Sequence, residues 1–395
     1  MPHQSGACAN MRIALLYDGV YPYTIGGVQR RIYDIGRKLV EFGHEAHIFC
    51  MKYWKGPDTI VNEHGVCLHG VCKSVKRFVG SKRSLSATLR YSLSLPKALL
   101  KDAVDIDVID SNWAPILHNY AVKAFSIFKK KPLVITWDQV WGEQWYRYLG
   151  SLRGRVGAMF EKILTFLPEL AIALSKWVKN ALVSVGVPPS RIRVVEKGID
   201  LSEIQTVKAM DSAWDVIFVG RLVSHKHPDI LLKAIFLLKR ELPDIRCAVI
   251  GDGPERGKLV KMVKELGLED NVALLGFRKH EEVIAYMKSS RVFVLPSTRE
   301  GVPTVILEAN AAGLPVILVN HPSNMAMSMI NNGENGFICD LSEHDIANRI
   351  YALLTDEALW KRMRKCSLEF ASRHDLDNMV RGFLSVYEEA AAMRS

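Results

Sequence analysis

The chain has 395 residues, of which 49% are hydrophobic and 24% charged, and its formal net charge is +10. These fractions are typical of a globular protein and exclude a disordered chain or a collagen-like fibre, and no stretch has the ~20 apolar residues of a membrane-spanning helix. Because a single hydrophobic core stops growing near ~250–300 residues, the length predicts two domains.

The first half of the chain alternates short apolar strands with helices. Arg12–Tyr17 predicts a strand, Gly26 and Gly27 lie in the loop that follows, and Gln29–Phe42 predicts an amphipathic helix. Two adjacent glycines let a backbone approach a phosphate or a sugar closely, although such a pair is also common in ordinary turns. The other predicted strands of this half are Glu45–Cys50, Asp107–Ile109, Pro132–Thr136 and Leu170–Ala173.

Positive charge is concentrated in this first half. Residues 1–200 carry 28 Lys and Arg against 16 Asp and Glu, whereas residues 201–395 carry 24 against 26. No acid lies between Glu63 and Asp102, a span that holds eight Lys and Arg. A field of one sign predicts a negatively charged partner, such as a phosphorylated substrate or an anionic membrane, and a solvated basic face is the alternative. No nucleic-acid-binding signature is present, so we expect no nucleic acid partner.

The second half repeats the same alternation. Trp214–Val219 predicts a strand, Gly220 its turn and Asp229–Leu242 a helix. Arg221 and Lys226 lie in the intervening loop, where an arginine fork and a lysine point charge can hold a diphosphate. Two solvated cations are the alternative. The other predicted strands are Arg246–Ile250, Val272–Leu275, Val292–Leu295 and Pro315–Val319.

This pattern predicts the architecture. Strands of about four to six residues that alternate with helices of about 10–15 residues indicate a parallel sheet covered on both faces. Two such halves predict an α/β fold with two doubly wound, Rossmann-like domains, joined near Val195–Leu201. Ligands of such sheets bind at the carboxyl ends of strands, so we expect the site in a cleft that the two domains face.

The most specific segment spans residues 296–315. Glu300 and Gly301 lie in a loop after a strand, a helix begins at about Pro303, and Glu308 lies roughly one and a half turns into it. A helix N-terminus binds anions, and carboxylates accept hydrogen bonds from hydroxyls. Phosphate with hydroxyls describes a nucleotide sugar. The alternative is an ordinary strand, loop and helix with a surface Glu300.

Four motifs of the second half together resemble those of the group 1, or family 4, glycosyltransferases. Two segments of the first half, Gly-Gly-Val-Gln and Lys-Gly-Ile-Asp, agree with this resemblance, which covers nearly the whole chain. The motifs of the second half are Gly-Arg-Leu…Lys at 220–226, Gly-Asp-Gly-Pro at 251–254, Gly-Phe at 276–277 and Glu-Gly-x-Pro…Glu-Ala at 300–309.

The resemblance implies the GT-B fold, a nucleotide-sugar donor, retention of anomeric configuration, and neither a metal nor another cofactor. It implies an acceptor domain at residues 1–197, joined by the C-terminal helix at 375–395, and a donor domain at residues 198–374. The acceptor is implied to be a glycan or a lipid-linked sugar of cell-envelope, glycolipid or glycoprotein synthesis.

The resemblance also implies roles for single residues. Arg221 and Lys226 are expected to grip the donor diphosphate, Glu308 to bind the ribose hydroxyls and Glu300 to contact the donor sugar. The expected catalytic residues are Arg221, Lys226, Glu300 and Asp138. The expected donor-binding residues are Gly26, Gly27, Gly220, Gly253, Phe277, Gly301, Val302, Pro303, Thr304 and Glu308.

Three positions depart from the family pattern. Family members often carry a histidine that contacts the transferred sugar, and here Asp138 stands nearest that place, although a carboxylate cannot donate a hydrogen bond as neutral imidazole can. Lys197 replaces the usual asparagine before Gly-Ile-Asp. His227 stands where glycine is common. We expect the change at Lys197 to be tolerated, and the change at His227 to alter the loop without removing the Lys226 cation.

The basic span also predicts where the acceptor comes from. It interleaves its cations with apolar residues, which favours docking on an anionic membrane and a lipid-linked acceptor. These apolar residues are Phe78, Leu85, Leu89, Tyr91 and Leu93. The seven cysteines are sparse and form no Cys-x-x-Cys pair, which favours a reducing cytoplasm. We therefore expect a cytoplasmic protein, peripheral at the inner face of the cell membrane.

Other function classes fit less of the sequence. An NAD-dependent oxidoreductase would use Gly251 and Gly253, but these follow the second strand of their half rather than the first. A metal-dependent transferase would use the Asp-x-Asp pattern at 105–107, a three-residue match that is common by chance. A sugar-nucleotide epimerase or hydrolase of the same fold stays open. A membrane-binding protein without enzymatic activity leaves the second-half motifs unexplained.

Overall fold

A computed structural model describes residues 10–79, 82–101 and 105–394 of the chain. The chain divides into two compact units, Met1–Glu196 with Asp377–Ser395 (unit 1) and Lys197–Leu376 (unit 2). Three residues used in the sequence analysis lie outside the described residues: Cys8, one of the seven cysteines, Asp102, which ends the acid-free span, and Ser395, which ends the predicted C-terminal helix.

Unit 1 is built on an eight-stranded sheet within the described residues, in the order β10-β9-β8-β7-β1-β2-β4-β3. Every neighbouring pair is parallel except β3 with β4. The short strands β5 and β6 pair only with each other. The strands are β1 Arg12–Leu16, β2 Glu45–Lys52, β3 Thr59–Val61, β4 Cys67–Lys73, β5 Phe78–Val79, β6 Lys82–Arg83, β7 Val108–Asn112, β8 Leu133–Trp137, β9 Leu170–Ala173 and β10 Ile192–Val194.

Helices connect these strands. They are α1 Gly27–Glu41, α2 Leu85–Lys101, α3 Ile116–Lys129, α4 Gln144–Leu149, α5 Ser151–Leu164 and α6 Lys176–Ser184. From β1 the chain first moves through α1 to β2 on one side, and after β4 it moves back across the sheet to β7, β8, β9 and β10 on the other side. Because crossovers between parallel strands are right-handed, α1 lies on one face of the sheet and α2, α3, α5 and α6 lie on the other.

Unit 2 is built on a six-stranded parallel sheet within the described residues, in the order β13-β12-β11-β14-β15-β16. Its strands are β11 Trp214–Val219, β12 Cys247–Ile250, β13 Val272–Gly276, β14 Ser290–Leu295, β15 Val316–Val319 and β16 Gly336–Cys339. Its helices are α7 Leu201–Thr206, α8 Pro228–Leu238, α9 Arg256–Glu265, α10 His280–Lys288, α11 Thr304–Ala311, α12 Glu343–Thr355 and α13 Glu357–Ser372.

The last helix, α14 at Leu376–Ala392, packs into unit 1. Its Tyr387 hydroxyl donates to the Asp110 carboxylate at 2.6 Å, and both side chains are buried. Burial raises the pKa of Asp110, whereas its hydrogen bonds from Tyr387 and Thr136 lower it. The C-terminal helix therefore contributes to the core of the first unit.

The strands are apolar because helices cover both faces of each sheet. Every residue of β15 is fully buried, as are most residues of β1. The prediction of an α/β fold with two Rossmann-like units is confirmed. The antiparallel edge formed by β3 was not predicted, because its three residues carry too short a pattern to read.

Asp18 corrects the interpretation of the basic span. It follows β1 with its side chain fully buried, Arg77 Nη1 lies 3.3 Å from Asp18 Oδ1, and Arg83 pairs with Oδ2. Burial alone would lower the pKa of Arg83, but the Asp18 carboxylate and Tyr17 raise it, so the guanidinium stays charged. Two of the eight cations therefore neutralise a buried acid rather than form a basic face.

One of the apolar residues predicted for the docking surface also points inward. Tyr91 is fully buried, and its hydroxyl donates to the Phe49 carbonyl at 2.8 Å. The side chain of Lys82 lies outside the described residues. The apolar side chains that are exposed as expected are Phe78, Leu85, Leu89 and Leu93. Within the described residues, no helix has both the length and the apolar character that crossing a bilayer requires.

Candidate active site

The candidate site of unit 2 lies where the strand order reverses. From β11 the chain continues to β12 and β13 on one side, and it then returns to β14 and β15 on the other. The loops after β11 and β14 therefore leave neighbouring strands at the same edge and turn in opposite directions. This arrangement is the usual ligand site of an open α/β sheet. It holds Arg221 and Lys226 in one loop and Glu300 in the other.

Lys226 and Glu300 form a direct ion pair across these loops. Their side chains are only 14% and 11% exposed, and the ammonium contacts Glu300 Oε1. Gly220 makes room for the lysine, because a Cβ at that position would lie 3.2 Å from Lys226 Cδ. The structure thus brings together the residues that the sequence assigned to the diphosphate and to the sugar. Arg221 lies exposed in the same loop.

Thr298 ties the two loops together, a link that the sequence did not reveal. Its backbone N–H donates to the His225 carbonyl at 2.9 Å, and its hydroxyl lies 3.1 Å from His227 Nε2. His227 adopts a left-handed conformation with φ 46°, which explains why glycine is common there. Burial, and then the neighbouring Arg299, lower the pKa of His225 to about 4, so this imidazole is neutral at physiological pH. The sequence feature that could have pointed to this link is His227, because it stands at a position where glycine is common.

Lys197, which the sequence predicts to be a tolerated replacement, has a structural role. It is buried, and its ammonium donates to the Val302 carbonyl at 2.9 Å. Val302 and Pro303 join Glu300 to α11, which begins at Thr304. A lysine in place of the usual asparagine therefore holds the loop that carries Glu300.

Glu308 projects from α11 and is mostly buried, with a side chain 13% exposed. His280 Nδ1 lies 3.9 Å from Glu308 Oε1, and His280 Nε2 lies 3.7 Å from Glu203 Oε1. His280 thus stands between two carboxylates, and no sequence motif pointed to it. Phe277, which follows β13, is exposed.

The glycines of the Gly-Asp-Gly-Pro motif serve the packing of this same loop. A Cβ on Gly251 would lie 1.9 Å from the Gly220 carbonyl oxygen, and one on Gly253 would lie 2.3 Å from the Leu222 carbonyl oxygen. Both glycines also have positive φ angles. They let the backbone that carries Arg221 approach β12, rather than forming the dinucleotide loop that the oxidoreductase alternative requires.

The predicted residues of unit 1 occupy two loops of their own sheet. Gly26 caps α1 and Gly27 is its first residue, beside the strand-order reversal between β1 and β7. Asp138 follows β8 and accepts a hydrogen bond from Trp113 Nε1. The Asp107 carboxylate of the Asp-x-Asp pattern accepts the Arg12 N–H at 2.8 Å, at the start of the sheet.

Glu161 of α5 holds the loop that begins at Asp138. Its carboxylate accepts the N–H groups of Trp141 and Gly142 at 2.8 and 2.7 Å and the Trp145 indole N–H at 3.1 Å. Burial raises the pKa of Glu161, and these donors lower it. The sequence feature that could have pointed to this role is that Glu161 is the one acid on α5, whose other charged residues are basic.

Comparison with known families identifies the chain. Residues 25–203 match the family model for Glycosyltransferase Family 4, and residues 202–369 match the model for glycosyl transferases group 1. The two matches run together without a gap. The chain belongs to the group 1 glycosyltransferases. The resemblance drawn from its motifs is confirmed.

Curated relatives of this glycosyltransferase match mainly over half their length. WcaL of Salmonella typhimurium, named for colanic acid biosynthesis, is 29% identical over 49% of this chain and 53% of its own. An uncharacterised glycosyltransferase of Methanocaldococcus jannaschii is 27% identical over 93% of this chain and 96% of its own. A Campylobacter jejuni N-acetylgalactosaminyltransferase named for a diphospho-undecaprenol acceptor is 26% identical over 58% and 61%. The chain spans about half the length of the first curated relatives that it matches.

Solved structures show the GT-B fold. Sucrose-phosphate synthase of Thermosynechococcus elongatus has a TM-score of 0.79 and 19% identity, covering 97% of this chain and 100% of its own. HepE of Anabaena, solved in complex with UDP and glucose, has a TM-score of 0.74 and 19% identity, covering 96% and 100%.

Proposed function

We propose that this glycosyltransferase moves a sugar from a nucleotide-diphosphate donor to a glycan or lipid-linked acceptor in cell-envelope glycan synthesis. The observation that carries the proposal is the mostly buried Lys226–Glu300 pair at the strand-order reversal of unit 2. This pair places a cation that can bind phosphate beside a carboxylate that can accept hydrogen bonds from sugar hydroxyls. The crystallised complex of HepE with UDP and glucose supports a donor of this class.

The proposed chemistry retains the anomeric configuration of the sugar. The departing nucleotide diphosphate gains negative charge in the transition state, and Arg221 and Lys226 stabilise that charge. Glu300 accepts hydrogen bonds from the sugar while it keeps Lys226 in place. The departing phosphate oxygen accepts the proton of the acceptor hydroxyl, so the side chains need not supply a general base. We propose that neither a metal nor another cofactor takes part, and that Asp138 contacts the sugar.

The proposed acceptor is reached at the inner face of the cell membrane. The names of WcaL and of the Campylobacter jejuni enzyme, which refer to an envelope polysaccharide and an undecaprenol-linked acceptor, support this class. The net positive charge of the first half of the chain supports an anionic partner. A peripheral, cytoplasmic location is proposed together with this acceptor.

A thermal-shift panel of UDP-, GDP- and ADP-sugars tests the donor. One base should stabilise the chain, because a ligand at 100 times its Kd adds about 2.7 kcal/mol to the free energy of unfolding. Turnover of that donor with an acceptor should survive a chelator. Stabilisation by none of the three classes contradicts the donor assignment, and free sugar as the sole product with every acceptor favours the hydrolase alternative.

We predict that Glu308 and Glu300 read different parts of the donor. Two adjacent ribose hydroxyls need an acceptor with two oxygens, and a lost hydrogen bond to a charged group weakens binding about 10-fold to 100-fold. Glu308→Gln should weaken both the nucleotide diphosphate and the nucleotide sugar by this factor, measured by calorimetry. Glu300→Gln should weaken the nucleotide sugar more than the bare nucleotide. Glu255→Gln, at a partly exposed glutamate of the same unit, is the control. Equal binding of both ligands by both variants contradicts the assignments.

A further inference from the structure

Helix α5 exposes a continuous apolar stripe. Five large apolar side chains recur along it and the residues just after it, at intervals of four, three, four and three positions, which places them on one helical face. Each is between 43% and 75% exposed. They are Leu152, Val156, Met159, Ile163 and Phe166.

The opposite face of α5 is the one that packs against the rest of unit 1, so the exposed stripe is not the face that forms the hydrophobic core. Gly154 and Leu164 are buried, and a Cβ on Gly154 would lie 2.5 Å from Tyr146 Cα of α4. A Cβ on Gly157 would lie 2.7 Å from the Trp145 ring. These small residues let α4 cover the inner side of α5, which leaves the apolar stripe directed to solvent.

Helix α3 extends this surface. Tyr120 of α3 donates to the Phe160 carbonyl of α5 at 2.6 Å, so the two helices lie side by side. At the end of α3, Ile127 and Phe128 are 62% and 73% exposed. We call the exposed side chains of both helices the α3–α5 surface.

The charge of the α3–α5 surface identifies its partner. Its exposed cations are Lys129, Lys130, Arg153, Arg155 and Lys162. Neither residues 111–137 nor residues 144–160 contain an acid, and Glu161 of α5 is buried against the loop after β8. An apolar stripe flanked by cations and free of exposed acid complements an anionic lipid surface, with apolar side chains among the acyl chains and cations at the headgroups.

We propose that the α3–α5 surface docks unit 1 on an anionic bilayer, with α5 lying in the plane of the interface. The helix has 14 residues, fewer than the roughly 20 that span a membrane. Helix α2 is the rival surface that the sequence favoured, but Lys101 at its end lies 3.5 Å from Asp58. The proposal supplies the surface for the peripheral location proposed above and rests on it, whereas its binding test needs no donor or acceptor.

Flotation with phosphatidylglycerol–phosphatidylcholine vesicles tests the proposal. The parent chain should float at low salt and should be released as salt rises, since screening weakens the headgroup attraction. A triple variant, L152S/M159S/F166S, should lose flotation, and R153Q/R155Q should lower the partition coefficient on the order of five-fold per cation. The matched control, V260S/Y351S/L368S, removes three apolar side chains of unit 2 that are 38–42% exposed, and it should float as the parent does.

Three results would overturn the proposal. The first is a parent chain that does not float with anionic vesicles at low salt. The second is loss of flotation in L85S/L89S/L93S of α2 with none in the α5 variant. The third is that light scattering shows the parent to be a dimer, and that the α5 variant abolishes this dimer but still floats as the parent does. Circular dichroism melting shows that each variant is folded, and the nucleotide thermal-shift panel keeps a failure of membrane docking distinct from a failure of the donor assignment.

Discussion

Replacing Lys226 by Ala is expected to lower kcat by about 10²–10³ and to weaken donor binding less. The reason is that the lysine meets charge that develops on the leaving diphosphate, and losing one such electrostatic donor costs this much in enzymes with preorganised sites. Lys226 is preorganised here, because Glu300 holds its ammonium and Gly220 makes room for its stem. Steady-state kinetics with the donor chosen by the thermal-shift panel, together with the donor Kd, separate the two effects.

The control for this variant is Lys258→Ala, which removes an exposed lysine of the same unit and should leave kcat unchanged. Removing Lys226 also leaves Glu300 without the ammonium that it contacts, so the double variant with Glu300→Gln is needed. Residues in direct contact are non-additive, and we expect the double variant to lose less than the product of the single losses. Unchanged turnover in Lys226→Ala would defeat the assignment of the leaving-group cation.

The sequence predicted the parts of this protein that are encoded locally. Strands such as Trp214–Val219 carry their own apolar pattern, and the loops that follow them must reach the carboxyl edge of a parallel sheet. Lys226 and Glu300 could therefore be assigned to one site although 74 positions separate them. The glycines of the same motifs marked tight backbone approaches, and Gly251 does lie against the Gly220 carbonyl.

Contacts between distant segments that no motif encodes could not be predicted. The sequence predicts only a tolerated exchange at Lys197, since nothing in it places the ammonium on the Val302 carbonyl 105 positions away. The stripe on α5 was missed for a different reason. Periodicity shows that a helix has an apolar face, but it does not show whether that face is turned to the core or to solvent. Here the small residues of the opposite face, such as Gly154, decide the orientation.

Replacing Asp18 by Ala is expected to have the largest effect on stability, a loss of about 3–5 kcal/mol in the free energy of unfolding. Breaking a buried ion pair by removing one partner costs this much, because the remaining charge is uncompensated. The Arg77 and Arg83 side chains are only 10% and 19% exposed, so two guanidinium groups would lose their shared carboxylate. Urea unfolding, followed by circular dichroism, measures the change in midpoint at constant slope.

Asp58→Ala is the matched control, since Asp58 also contacts two cations, Lys52 at 2.9 Å and Lys101 at 3.5 Å, but is 58% exposed. Exposed ion pairs contribute about 0–1 kcal/mol, so its unfolding midpoint should hardly move. Equal losses in the two variants would contradict the role given to burial. The same reasoning bears on the basic span, because charge reversal at Arg77 or Arg83 would place an acid beside buried Asp18. Loss of vesicle binding in such a variant would report unfolding of unit 1, so tests of membrane docking must spare these two arginines.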